Sequence, residues 1–88
     1  MKPMETVTQE ADRIVSGQRQ SDYGHPRDNW GQTAALWSAI LGHTVTPQQA
    51  VLCMIAAKVS RESRNPKRDN RVDIAGYAKV LDMLEDTE

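Results

Sequence analysis

The chain has no phenylalanine and only one cysteine, Cys53, among its 88 residues. A lone thiol closes no disulfide within the chain, which removes the usual staple of small secreted domains. The two histidines and the cysteine stand at no finger or knuckle spacing, so a structural zinc is not expected either. No apolar run approaches the ~20 residues of a membrane-spanning helix. The stretch MKPMETVTQE turns polar and acidic where the apolar part of a signal peptide would begin. A cytosolic, reducing location with no membrane partner is the expectation. The formal net charge of −1 at pH 7 argues against binding to duplex nucleic acid. There is no phosphate-binding glycine loop, no H-E-x-x-H and no Cys–His dyad, and Ser21, Ser38, Ser60 and Ser63 lack a nucleophile context. Covalent catalysis is therefore not expected, and no catalytic residue is nominated.

What is present is helical periodicity. Apolar residues recur at spacings of three and four throughout, which predicts one all-α domain over residues 1–88, with helices at about 6–16, 28–41, 47–62 and 70–85. In the first, Thr6 and Gln9 have capping-box spacing; Met4, Val7, Ala11, Ile14 and Val15 form a stripe, and Gly17 suits the exit. A polar connector, QRQSDYGHPRD, leads to a helix capped by Asp28, with Trp30, Ala34, Trp37 and Leu41 on one face and Gly42 at its end. Thr46, Pro47 and Gln49 mark the third start. This helix is apolar nearly all round through Val59, so it should be the central, most buried element, with Cys53 as a buried small hydrophobe. Pro66 forces a break. The fourth helix should turn Val72, Ile74, Ala75, Ala78, Leu81 and Leu84 inward, and Gly76 at its middle implies close approach of a helix or ligand. The expected packing is a compact up-and-down four-helix bundle with at least one longer connection. A core this small is marginal alone, so self-association through the Trp30/Trp37 face or the third helix is expected.

Charge is unevenly placed. Lys58, Arg61, Arg64, Lys67, Arg68 and Arg71 fall within fourteen residues, whereas the last seven positions hold four acids and no base. That pattern suits a small anionic ligand. Lys58 follows MIAA, so its ammonium needs an anion: Asp73 in an internal ion pair, or a phosphate that Lys58 and Arg61 clamp while Asp73 orients them. Asp69, Asp73 and Tyr77 stand four apart on one helical stripe, where Asp69 also suits a cap. His25 precedes Pro26 in a turn, a position that favours a backbone hydrogen bond, and Tyr23 offers a ring for stacking. Tyr23, His25, Arg27, Lys58, Arg61, Asp69, Asp73 and Tyr77 are thus the candidate ligand-binding set, with no metal among its requirements.

The stretches DRIVSGQRQSDYGHPRDNW, ALWSAIL, AAKVSR and RDNRVDIAGYAKVL resemble a small phage and prophage family classed as a domain of unknown function, over Ala11 to Leu84. A more distant likeness runs to MazG-like and nucleotide-modification-associated helical domains. That likeness implies a nucleotide ligand and, as an enzymatic alternative, magnesium-dependent pyrophosphohydrolysis with Glu10, Asp69 and Asp73 as metal ligands. The helix at 28–41 carries no acid beyond its first turn, which leaves such a magnesium cluster poorly furnished. The leading expectation is therefore a homo-oligomeric protein that binds a nucleotide-like, phosphate-bearing molecule, such as a defence signal sequestered in the host. A module that binds protein and no small molecule is the further alternative.

Overall fold

The structure, a computed structural model, describes residues 4–85, and the segment 18–20 by its backbone alone. Among these residues there is no strand, and the all-α expectation holds. The helices are α1 (Val7–Ser16), α2 (Gln18–Tyr23), α3 (Pro26–Leu41), α4 (Pro47–Arg64) and α5 (Arg68–Glu85). The acids at 86 and 88, half of the acidic tail, lie outside the described residues.

Local signals place the ends. At α1 the Gln9 N–H donates to Thr6 Oγ1 at 3.1 Å while the Thr6 N–H donates to Gln9 Oε1 at 2.8 Å. Thr46 and Gln49 repeat the reciprocal box at α4, at 3.1 and 2.9 Å. Each box satisfies two backbone donors that helix geometry leaves open. Gly42 closes α3 with φ 77°, the left-handed region that a Cβ disfavours.

Three expectations about the ends are corrected. The connector after Gly17 is not a plain loop, because Gln18–Tyr23 forms a short helix. α3 begins at Pro26 rather than Asp28: His25 is its N-cap, and Nδ1 of that ring accepts the Arg27 N–H at 3.0 Å. α5 begins at Arg68, so Asp69 lies within the first turn and does not cap it.

The central element is α5, which packs on α1, α4 and α3. Val72, Gly76, Val80 and Leu84 face inward at a spacing of four, and Asn70 is buried separately against the α4–α5 loop. Ala78, expected inward, is exposed. Gly76 permits the closest approach, since a Cβ there would lie 3.3 Å from Val15 Cγ2 on α1. The core gathers Val15, Trp30, Ala50, Val51, Val80 and Leu84. α4 is not the most buried helix: it buries only Ala50 and Val51, and Cys53 is exposed. The periodicity was read correctly as apolar all round, but one side is left exposed by the described residues. Leu41 and Met4, expected in the inward stripes, are also exposed.

Ion pairs fix the helix directions. Glu10 meets Arg68 and Asp12 meets Lys79, so α1 and α5 run parallel, which departs from a strict up-and-down order. Glu62 meets Arg71 and Lys58 meets Asp73, so α4 and α5 run antiparallel.

Candidate functional site

Asp73 and Lys58 form the internal pair that the sequence allowed. The Lys58 ammonium lies 2.8 Å from the Asp73 carboxylate, with the lysine side chain 16% exposed and the aspartate 43%. Beside them, Ala11, Ile14 and Val15 of α1 and Val72, Gly76 and Tyr77 of α5 line a groove of about 80 Å³, with Asp73 at its edge. Ligand pockets generally run to ~300–1,000 Å³. This groove fits one side chain, not a nucleotide. Tyr77 is engaged in packing: its ring meets Trp30 edge-on, centroids 5.9 Å apart and planes at 81°.

The eight nominated residues fall in three places rather than one. Lys58 of α4 meets Asp73 of α5, and Tyr77 lies one turn further along α5. Arg61 and Asp69 are exposed toward the α4–α5 loop. The 22–26 turn was expected beside that loop, but it packs elsewhere: Tyr23, Gly24 and Pro26 line a recess with Val15, Trp30 and Val80. Val80 is seven residues beyond Asp73, about 10 Å along the helix, and about 16 Å beyond Asp69. Arg27 turns to its neighbour, with its Nε 3.6 Å from Asp28 Oδ1. The turn serves the packing of α1, α3 and α5, and does not rim the Lys58 pair.

The basic cluster divides as well. Arg68 is held by Glu10 and by the Glu5 carbonyl. Arg71 donates to Glu62 at 2.9 Å. Glu62 also accepts the Lys67 N–H at 2.9 Å and the Asn70 amide at 3.3 Å, closing the α4–α5 loop. The Lys67 N–H above all, with Asn70 and Arg71, holds the Glu62 carboxyl below its ordinary range against a smaller opposing effect of burial. Arg61, Arg64 and Lys67 are exposed and form no ion pair with a described residue. Among the described residues no three His, Cys, Asp or Glu side chains gather closely enough for a metal ion. Glu10, one of the three acids considered for magnesium, is occupied by Arg68.

A different surface stands out. On the outer sides of α3 and α4, which pack together, Leu36 is 58% exposed, Ile40 80%, Leu52 53% and Val59 50%. Cys53 and Ala56 are exposed between the last two. No Asp, Glu, Lys or Arg occurs from Asn29 to Ala57, although 26% of the chain is charged. Within that stretch, buried and exposed positions alike are uncharged. Scattered exposed leucines are ordinary; an apolar face free of charge on two adjacent helices is not. The signal was legible in the sequence as a 29-residue gap between Asp28 and Lys58.

Fold and surface together define a small all-helical domain with ion pairs along α5 and exposed apolar residues on the uncharged stretches of α3 and α4. The chain belongs to the family described as a domain of unknown function, DUF6378, which matches residues 6–85. It is similar to the Gene 55 protein of Mycobacterium phage L5, 40% identical over 77 residues that cover 85% of this chain and 49% of that protein. It is also similar to the Gene 55 protein of Mycobacterium phage D29, 33% identical over 81 residues that cover 91% and 54%. The chain thus spans about half the length of the curated relatives it matches, and the resemblance to a phage family holds. No solved structure matches. No helix among the described residues is long and apolar enough to cross a membrane.

Proposed function

We propose that this domain is a protein-docking module that works through the outer face of α3 and α4. The observation that carries this reading is the uncharged stretch from Asn29 to Ala57, whose outward positions include Leu36, Ile40, Leu52 and Val59. Depletion of charge at an apolar centre with a polar surround is the composition of interface cores. Charged side chains flank the face: Arg27 and Asp28 precede α3's uncharged stretch, and Arg61 and Arg64 follow α4's. A photo-crosslinking residue at position 56, on the outer side of α4, tests it in cells. Ala56→benzoylphenylalanine is expected to give discrete protein adducts, and the same residue at the exposed Ala78 of α5 none. Absence of adducts from position 56 and from position 40 alike would remove the proposal.

A phosphate-bearing ligand is the second reading, favoured by one observation: Arg61, Arg64 and Lys67 are exposed around one loop without acid partners among the described residues. Three exposed cations there suit the surface capture of a phosphate better than an enclosed nucleotide site. A melting assay with mono-, di-, tri- and cyclic nucleotides decides it. A rise in melting temperature that Arg61→Ala/Arg64→Ala abolishes supports this reading, and no rise with any nucleotide rejects it. Magnesium-dependent hydrolysis draws no support from the acids, since Glu10 and Asp73 are each paired with a different cation.

A further inference from the structure

We infer that the occupant of the α3–α4 face is a second copy of this chain, with the two α4 helices crossing antiparallel at a two-fold axis near Cys53. This rests on the docking reading above and names its partner. The outward positions of α4 are Gln48, Leu52, Cys53, Ala56 and Val59, all exposed and none charged. Lys58 is turned inward to Asp73 and Arg61, three residues on, shares its side of the helix, so the first cation to border the outward side is Arg64. The charge of α4 therefore lies wholly at its C-terminal end.

That asymmetry selects both partner and direction. A charged partner would lose hydration on this face and meet no opposite charge in return. A second copy brings a face of the same uncharged composition, as an isologous contact requires. Parallel pairing would set Arg64 beside its own copy. Antiparallel pairing sets it past the uncharged start of the other α4. Leu52 is the midpoint of the uncharged segment from Pro47 to Ala57, which places the axis there. Cys53 and Ala56 next to it are small enough to let two helix backbones come close, and Leu36 and Ile40 of α3 widen the contact on each side. The self-contact would also supply what a domain of this size lacks, since small domains bury too little surface for an ample core.

The test uses the whole chain and its native thiol. Size-exclusion chromatography with light scattering should give the mass of two chains, and Leu52→Glu/Ile40→Glu the mass of one with unchanged helix content. A short bis-maleimide should link Cys53 to its copy in good yield. In Cys53→Ser/Ser60→Cys the same reagent should give no linked dimer, because antiparallel helices hold the two positions 60 about 20 Å apart. The inference falls if the wild type is a monomer at about 100 µM, if Leu52→Glu/Ile40→Glu is still a dimer, or if position 60 links and Cys53 does not. A monomer that nevertheless gives adducts to other proteins from position 56 overturns the second copy and leaves the docking module standing.

Discussion

Gly76 shows how much one hydrogen atom in place of a methyl group decides here. Alanine would remove the roughly 1 kcal/mol that glycine costs in a helix interior. Its Cβ, however, would stand 3.3 Å from Val15 Cγ2, and valine is too stiff at χ1 to swing aside. The two effects oppose, so Gly76→Ala should lie within about 1 kcal/mol of wild type in urea melts. Gly76→Leu should lose about 1–3 kcal/mol by forcing α1 away. A Gly76→Leu protein as stable as wild type would show that α1 and α5 do not meet as described. The sequence told that a helix or ligand approached at Gly76, because a mid-helix glycine has a cost. It could not tell which, because Val15 lies sixty-one residues away in the chain. His25 is the reverse case. Its backbone hydrogen bond was expected, yet α3 was begun at Asp28, since acids are commoner caps than an imidazole.

At the scale of elements, the loop between α4 and α5 turns on Glu62, which accepts from the Lys67 N–H, the Asn70 amide and the Arg71 guanidinium. Its carboxyl is lowered from the ordinary value of 4.5. A carboxyl that holds its proton less tightly when folded stabilises the fold fully above its unfolded pKa. That contribution fades as pH falls below the ordinary value and through the lowered one. Glu5, lowered chiefly by its hydrogen bond from Arg13, acts in the same sense. Melting temperature should therefore fall with acid below about pH 4.5, and Glu62→Gln should flatten that slope. An unchanged acid limb in Glu62→Gln would show that the carboxylate is not the loop's clasp. The elements themselves were legible where their signals are local: both capping boxes, Gly42, Pro47 and Pro66 lie within a few residues of what they control. α2 was missed because its six residues, QRQSDY, have no apolar period to read. The burial of α4 was misjudged for a different reason. Periodicity reports which faces are apolar, not which neighbour covers them, and the described residues leave the outer side of α4 exposed.

Across the whole molecule, charge and apolar surface are kept apart. The α1–α5 side is laced by pairs from Arg68 to Glu10 and Lys79 to Asp12, and Lys58 meets Asp73 where α4 joins it. The α3–α4 side has none from Asn29 to Ala57. The eight nominated residues were read as one site because a sequence gives helix stripes but not the angle at which helices cross. The turn at 22–26 went to Val80, away from Asp69. The most direct measurement is urea unfolding of wild type and Leu52→Glu, each at a low and a hundredfold higher chain concentration. At the low concentration the two should agree within about 0.5 kcal/mol, because Leu52 belongs to the surface of the single chain. At the high concentration the wild-type midpoint should rise and that of Leu52→Glu should not. A variant destabilised by about 2 kcal/mol or more when dilute would place Leu52 in the core. A wild-type midpoint indifferent to concentration would contradict the second copy.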